Sequence, residues 1–208
     1  TPENVKFNIF KRINTGGLAL EPQEIRNALF QGKATQFLQE CSQMECFITA
    51  TSGSVKSERM LDREFVLRYV SFCYLDLEGY TGNIDEFLNE GMKFLNHADL
   101  ERLEEIKKEF AFTMESIYSI MERNAFRKIC DDGRRRPINK VIFESWCYVI
   151  RALSIEQVKI LKEKKEEIQV GYMHLCSSAD YLYLLKLPDK KAVYGRIKAV
   201  QELINEFL

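Results

Sequence analysis

Residues 100–121, LERLEEIKKEFAFTMESIYSIM, decide the fold class of this chain. Leu100, Leu103, Ile106, Phe110, Met114, Ile117 and Met121 recur at three- and four-residue steps, while Glu101, Arg102, Glu104, Glu105, Lys107 and Lys108 fill the other face. This is the period of a long α-helix with one apolar stripe, and Asn96 and Asp99 are both candidate caps near its start. The same period extends in both directions. Pro188-Asp189 opens a last helix with Val193, Ile197, Val200, Ile204 and Phe207 on one side. Residues 154–170 read as a charged helix behind a Ser154 cap, and 84–95 and 137–152 as helices that follow a turn or a proline. Residues 58–77 read as a helix that buries Met60, Leu61, Phe65, Tyr69 and Phe72. Turn-rich breaks at 51–57, 79–83 and 131–137 separate these helices. Strand signals are confined to 4–13, which alternates in part and reads as a strand or a short helix, and to the brief β-type run CFITAT at 46–51. The expected fold is mainly α, a multi-helix bundle.

Composition bounds the function. A chain of 208 residues, 46% apolar and 29% charged, has ample material for a globular core. Its net charge of −1 provides no overall basic field for nucleic acid, so any DNA contact needs a local patch. No apolar run reaches the roughly 18 residues of a membrane helix, no leader is visible, and a cytoplasmic location is expected. The six cysteines form no C-x-x-C pair and sit mostly in apolar runs, which reads as reduced core thiols. With only two distant histidines, His97 and His174, no metal site is expected. The run 162–167, KEKKEE, reads as a solvated helix face, and Tyr172, Tyr181, Tyr183 and Tyr194 as core and rim.

Two stretches could carry chemistry. In 9–30, IFKRINTGGLALEPQEIRNALF, the turn Asn14-Thr15-Gly16-Gly17 precedes a helix opened by Glu21-Pro22. Consecutive N–H groups in such a turn can cradle an anion, a helix start adds a favourable dipole, and Arg12 or Arg26 could grip phosphate. The competing reading is an ordinary corner in which Asn14 bonds its own backbone and Glu24 pairs with Arg12 or Arg26. Residue types alone favour the corner. No Walker loop is present. The second stretch is Arg134-Arg135-Arg136-Pro137-Ile138-Asn139-Lys140, four cations in seven residues. It reads either as a phosphate-contacting loop, with Arg127-Lys128 extending it, or as a solvated loop paired with Asp131, Asp132 or Glu144.

The first stretch resembles the GmrSD-type restriction endonuclease N-terminal domain family, whose F-x-R-I-N-T-G-G-x-x-L-x-x-x-E-x-R-N pattern is met by Phe10, Arg12, Ile13, Asn14, Thr15, Gly16, Gly17, Leu20, Glu24, Arg26 and Asn27. Segments 59–70, 81–96, 125–146 and 190–204 resemble later parts of that family in the same order. The resemblance implies that residues 4–13 are a strand or helix left from a ParB-like α/β domain, with a motif segment 1–33 and a helical domain 34–208 forming one compact unit. It implies a restriction-type anti-phage defence protein acting on modified foreign DNA, inactive as a fragment. GTP or ATP with Mg would bind only in a longer parent. A nucleotide site would be lined by Arg12, Asn14, Thr15, Gly16 and Gly17 and braced by Glu24 and Arg26. DNA would be contacted by Arg134, Arg135, Arg136, Asn139 and Lys140. The implied partners are the missing ParB-like domain, DNA, and a nuclease domain or subunit. The family's Asp-Gly-x-x-Arg motif is absent upstream, and the match of Asp132, Gly133 and Arg136 to its spacing is read as chance. A reading of a different class remains: a non-catalytic helical protein-interaction or scaffold domain. Burial and mutual pairing of Arg12, Asn14 and Arg26 would favour it, and a solvent-open pocket would disfavour it.

Overall fold

The computed structural model describes residues 3–13 and 19–208. Twelve α-helices occur among them: α1 (Glu3–Ile13), α2 (Pro22–Leu29), α3 (Lys33–Ser42), α4 (Glu45–Ala50), α5 (Leu61–Tyr74), α6 (Ile84–His97), α7 (Leu100–Met121), α8 (Lys140–Arg151), α9 (Ile155–Glu163), α10 (Lys165–Ser177), α11 (Ala179–Leu184) and α12 (Lys190–Asn205). The mainly α bundle is as the periodicity indicates.

The strand option and the α/β remnant are corrected. Residues 3–13 are helical, and the described residues contain no strand, only an isolated bridge between Arg127 and Ile138. The alternation of Val5, Phe7 and Ile9 suggests a strand face, yet only Phe7 of the three is buried, at 1% exposure, while Val5 and Ile9 stay open to solvent. A strand needs a neighbouring edge to pair its backbone. Among the described residues none adjoins α1, whose packing partner is the helix α2. Residues 46–51 likewise fall in and just past α4, which directs Phe47 and Ala50 inward one helical turn apart and packs on α7. The charged helix over 154–170 breaks at Lys164 into α9 and α10.

α5 and α8 form the centre. α5 is buried on nearly every face, from Phe65 through Cys73, which marks an interior helix rather than a surface one. It packs against α3, α6 and α8, while α8 also contacts α7 and α12. Edge-on aromatic pairs join these layers: Phe65 on Phe143 at 5.0 Å between α5 and α8, and Trp146 on Tyr172 at 5.1 Å between α8 and α10. Gly91 lets α6 approach α5, since a Cβ there would lie 2.2 Å from Ser71 Oγ. One continuous core runs from Phe30 to Ile204, which spans the end of the first segment and the helical remainder.

The caps are local. Asp99 accepts the Arg102 amide at 2.8 Å and starts α7, and Ser154 and Asp189 start α9 and α12 in the same way. Asn96 instead accepts the Ala34 amide at 2.8 Å and donates to the Phe30 carbonyl, so it fixes the start of α3 rather than that of α7. No helix among the described residues is long and apolar enough to cross a membrane.

The cysteines are free thiols; Cys41, Cys73, Cys147 and Cys176 are buried, and Cys46 and Cys130 are half-buried. Burial pushes the Cys41 and Cys73 thiols up to about 12, which starves them of reactive thiolate. Maleimide labelling of the native chain at pH 7 is therefore expected to modify Cys46 and Cys130 first. The other four should label only on unfolding. Fast native labelling of Cys41 or Cys147 would contradict this packing.

Candidate functional site

The α1–α2 corner is built around Arg26. Helix α2 starts with a reciprocal cap: the Glu21 amide donates to Glu24 Oε2 at 2.7 Å, and Pro22 takes the first turn. One face of α2 then carries Ile25 and Arg26 inward. Arg26 is 1% exposed. Its Nε donates to Asn89 Oδ1 at 3.1 Å, Nη1 to Gln23 Oε1 at 3.4 Å, and Nη2 to Asp85 Oδ1. Its guanidinium carbon lies 5.1 Å from the centre of the Phe7 ring. Burial lowers the proton affinity of Arg26, and Asp85 and Glu64 counter that. Asp85 also takes Lys11, and Asn89 donates to Asn4 at 3.1 Å. One guanidinium thus ties α1, α2 and α6 together.

Glu24 is similarly committed, capping α2 and accepting Arg59 Nε at 2.9 Å. Arg59 also reaches the Ala19 carbonyl. Arg59 and Met60 both adopt left-handed backbone, φ 56° and 58°, a conformation that costs non-glycine residues energy and persists only where contacts enforce it. Asn27 accepts from Arg63 at 3.4 Å. Arg12 is exposed near the end of α1. Asn14, Thr15, Gly16 and Gly17 lie outside the described residues.

The basic loop is a different environment. The Arg134 amide donates to Asp132, and Arg136 pairs with Asp132 at 2.6 Å. Lys140 donates to both oxygens of Glu64, at 2.9 and 3.0 Å. Asn139 is the cap of α8, accepting the amides of Val141 and Ile142. Glu144 does not reach this loop; it is buried on α8 and binds Arg68. Arg135 is exposed.

Behind the loop lies Arg127, 4% exposed. Its Nη1 donates to the Arg136 carbonyl at 2.6 Å, and Nη2 donates to Ser54 Oγ at 2.7 Å and the Thr51 carbonyl at 3.3 Å. All three acceptors are neutral, and its Nε has no partner among the described residues. Burial, then Arg135, lowers its proton affinity. Arg127, Arg135, Arg136 and Lys140 line a groove of about 530 Å³ with Ser54 and the apolar Val55, Leu61 and Phe65.

The roles of Asp85, Asn89 and Arg59 carry no sequence signal near the motif, because they come from distant helices and turns. Arg127 carried a faint one, since it and Lys128 interrupt an otherwise apolar run between Ala125-Phe126 and Ile129-Cys130. Among the described residues no group of His, Cys, Asp and Glu could hold a metal ion. In comparison with known proteins, the chain matches no family model, no curated protein and no solved structure.

Proposed function

We propose that this chain acts as a non-catalytic helical interaction domain, in which Glu24 and Arg26 of the α1–α2 corner serve architecture rather than ligand chemistry. The observation that carries this reading is the state of Arg26, which is buried with its donors taken up by Asn89, Gln23 and Asp85. A phosphate-gripping arginine needs free donors facing solvent. Glu24 is likewise held by its cap and by Arg59. The corner also leaves Val5, Ile9 and Phe10 of α1 exposed, apolar surface of the kind a protein partner covers. The restriction-type reading, with GTP or ATP and Mg at Arg12, Asn14, Thr15, Gly16 and Gly17 and DNA on the 134–140 loop, draws its support from the motif resemblance.

Calorimetry with Mg·GTP and Mg·ATP separates the two when it is run on this chain and on a version extended upstream, each with and without Arg12→Ala, because the restriction-type reading places nucleotide binding in the longer parent. The side chain of Arg12 is exposed, so its removal leaves the fold intact. The interaction-domain reading expects no nucleotide heat that Arg12→Ala removes. Saturable binding abolished by that substitution would overturn it.

A further inference from the structure

The groove between residues 51–65 and the 127–140 segment plays no part in that reading. We propose that it is a binding site for a small organic phosphate, with the phosphate held by Arg127 and Arg135 and the apolar body of the ligand against Val55, Leu61 and Phe65.

Arg127 is the starting point. A buried charge is costly unless an opposite charge or a full set of hydrogen bonds compensates it. Of the other buried arginines, Arg26 has Asp85 and Arg68 has Glu64 and Glu144, while Arg196 donates to the Leu184 and Leu187 carbonyls and still has Glu144 near enough to favour its charge. Among the described residues Arg127 has no acid, one nitrogen without a partner, and neutral oxygens for the rest. The nearby carboxylates are already engaged, Asp132 with Arg136 and Glu64 with Lys140 and Arg68. Arg135 adds a second positive charge near enough to disfavour the charged form of Arg127. An anion in the groove relieves that repulsion and supplies the missing counter-charge.

The chemistry of the groove narrows the ligand. Two guanidinium groups without acids of their own among the described residues match the dianion of a phosphomonoester better than a singly charged carboxylate. Ser54 accepts from Arg127 through its oxygen, which leaves its hydroxyl proton to donate to a phosphate oxygen. The volume of about 530 Å³ suits a small molecule, and Val55, Leu61 and Phe65 provide an apolar wall of the kind a carbon skeleton packs against. A nucleic-acid backbone needs cations spaced along a track. Here they converge on one groove in a chain of net charge −1.

The test is calorimetric titration of the whole chain with phenyl phosphate, inorganic phosphate, benzoate and a short DNA duplex, repeated on Arg135→Ala and Arg127→Lys. Arg135 is exposed, so its variant keeps the fold even if Arg127→Lys loosens the 127–140 segment. Phenyl phosphate is expected to bind saturably and more tightly than both inorganic phosphate and benzoate, with affinity falling about tenfold in Arg135→Ala, the loss of one charge-assisted contact. Three results would overturn the proposal. One is no saturable phenyl phosphate binding. Another is binding that neither substitution changes, or that inorganic phosphate or benzoate equals. The third is tighter, steeply salt-dependent binding of the duplex that Arg135→Ala removes, which would make the groove a nucleic-acid contact.

Discussion

Replacing Arg68 by Met is expected to destabilise the chain by about 3–5 kcal/mol, the typical result of stripping one partner from a buried ion pair. Arg68 lies on α5 and is held on both sides: Nε donates to Glu64 at 2.8 Å one turn earlier, and Nη1 to Glu144 on α8. Glu144 is 4% exposed. Burial raises its pKa, and Arg68 and Arg196 act against that rise. Without Arg68, Glu144 must either remain charged in the core or take up a proton. The pair joins the two central helices, so the loss should appear as a lower Tm for the whole chain rather than as local fraying.

Two further results would separate charge from packing. Arg68→Met combined with Glu144→Leu should regain much of the lost stability, because apolar groups can replace a buried pair at little cost when both partners go. The single variant should also acquire a particular pH dependence. A carboxylate whose folded pKa is raised favours folding when protonated. That contribution is complete below the unfolded value of about 4.3 and is lost as pH rises through the folded pKa. Arg68→Met should therefore lose stability relative to wild type on going from about pH 4 upward, and the double variant should not. Equal losses for the single and double variants at every pH would assign the effect to packing.

The second large effect is expected at Arg26. Arg26→Met should cost about 2–4 kcal/mol, less than the Arg68 case because Asp85 is partly exposed and keeps Lys11. The loss has three sources: Asn89 loses a donor in a buried site, Phe7 loses the cation beside its ring, and α1 loses its tie to α2 and α6. For a chain of this size that corresponds to a fall in Tm of about 5–12 °C, measurable by circular dichroism or calorimetry. A Tm within about 1 °C of wild type would mean that Arg26 is not a brace.

The bundle itself was legible in the chain. The stripe from Leu103 to Met121, the Asp99 and Ser154 caps and the Pro188-Asp189 start all appear where local rules place them, because a helix with an apolar face carries its own signal. Residues 4–13 and 46–51 were less legible. Both are short, and for short apolar runs the neighbouring element decides between strand and helix. Phe7 is helical and buried because α2 presents a surface to it, which no local pattern encodes.

The candidate site was less legible still, and for a related reason. The spacing of Glu24 and Arg26 identifies them as polar residues on a largely apolar helix, but it does not say whether they face solvent. Their partners Arg59, Asp85 and Asn89 lie dozens of residues away. Asn139 sits beside arginines in the stretch read as contacting DNA, and its side chain caps α8. Arg127 was visible only as an adjunct of the basic loop. Its distinction is burial with another cation, Arg135, as its charged neighbour, a property of how the 51–54 turn and the 134–140 loop fold around it.

That Arg26 braces the corner is tested most directly by amide hydrogen exchange on the wild-type chain and on Arg26→Met, each with and without Mg·GTP. Helices α1 and α2 and the first turns of α6 are expected to be protected in wild type, to lose that protection in Arg26→Met, and to be indifferent to nucleotide in both. Unchanged protection of α1, α2 and α6 in the variant would contradict the brace, and nucleotide-dependent protection of α2 in wild type that the variant loses would return Arg26 to a ligand-binding role.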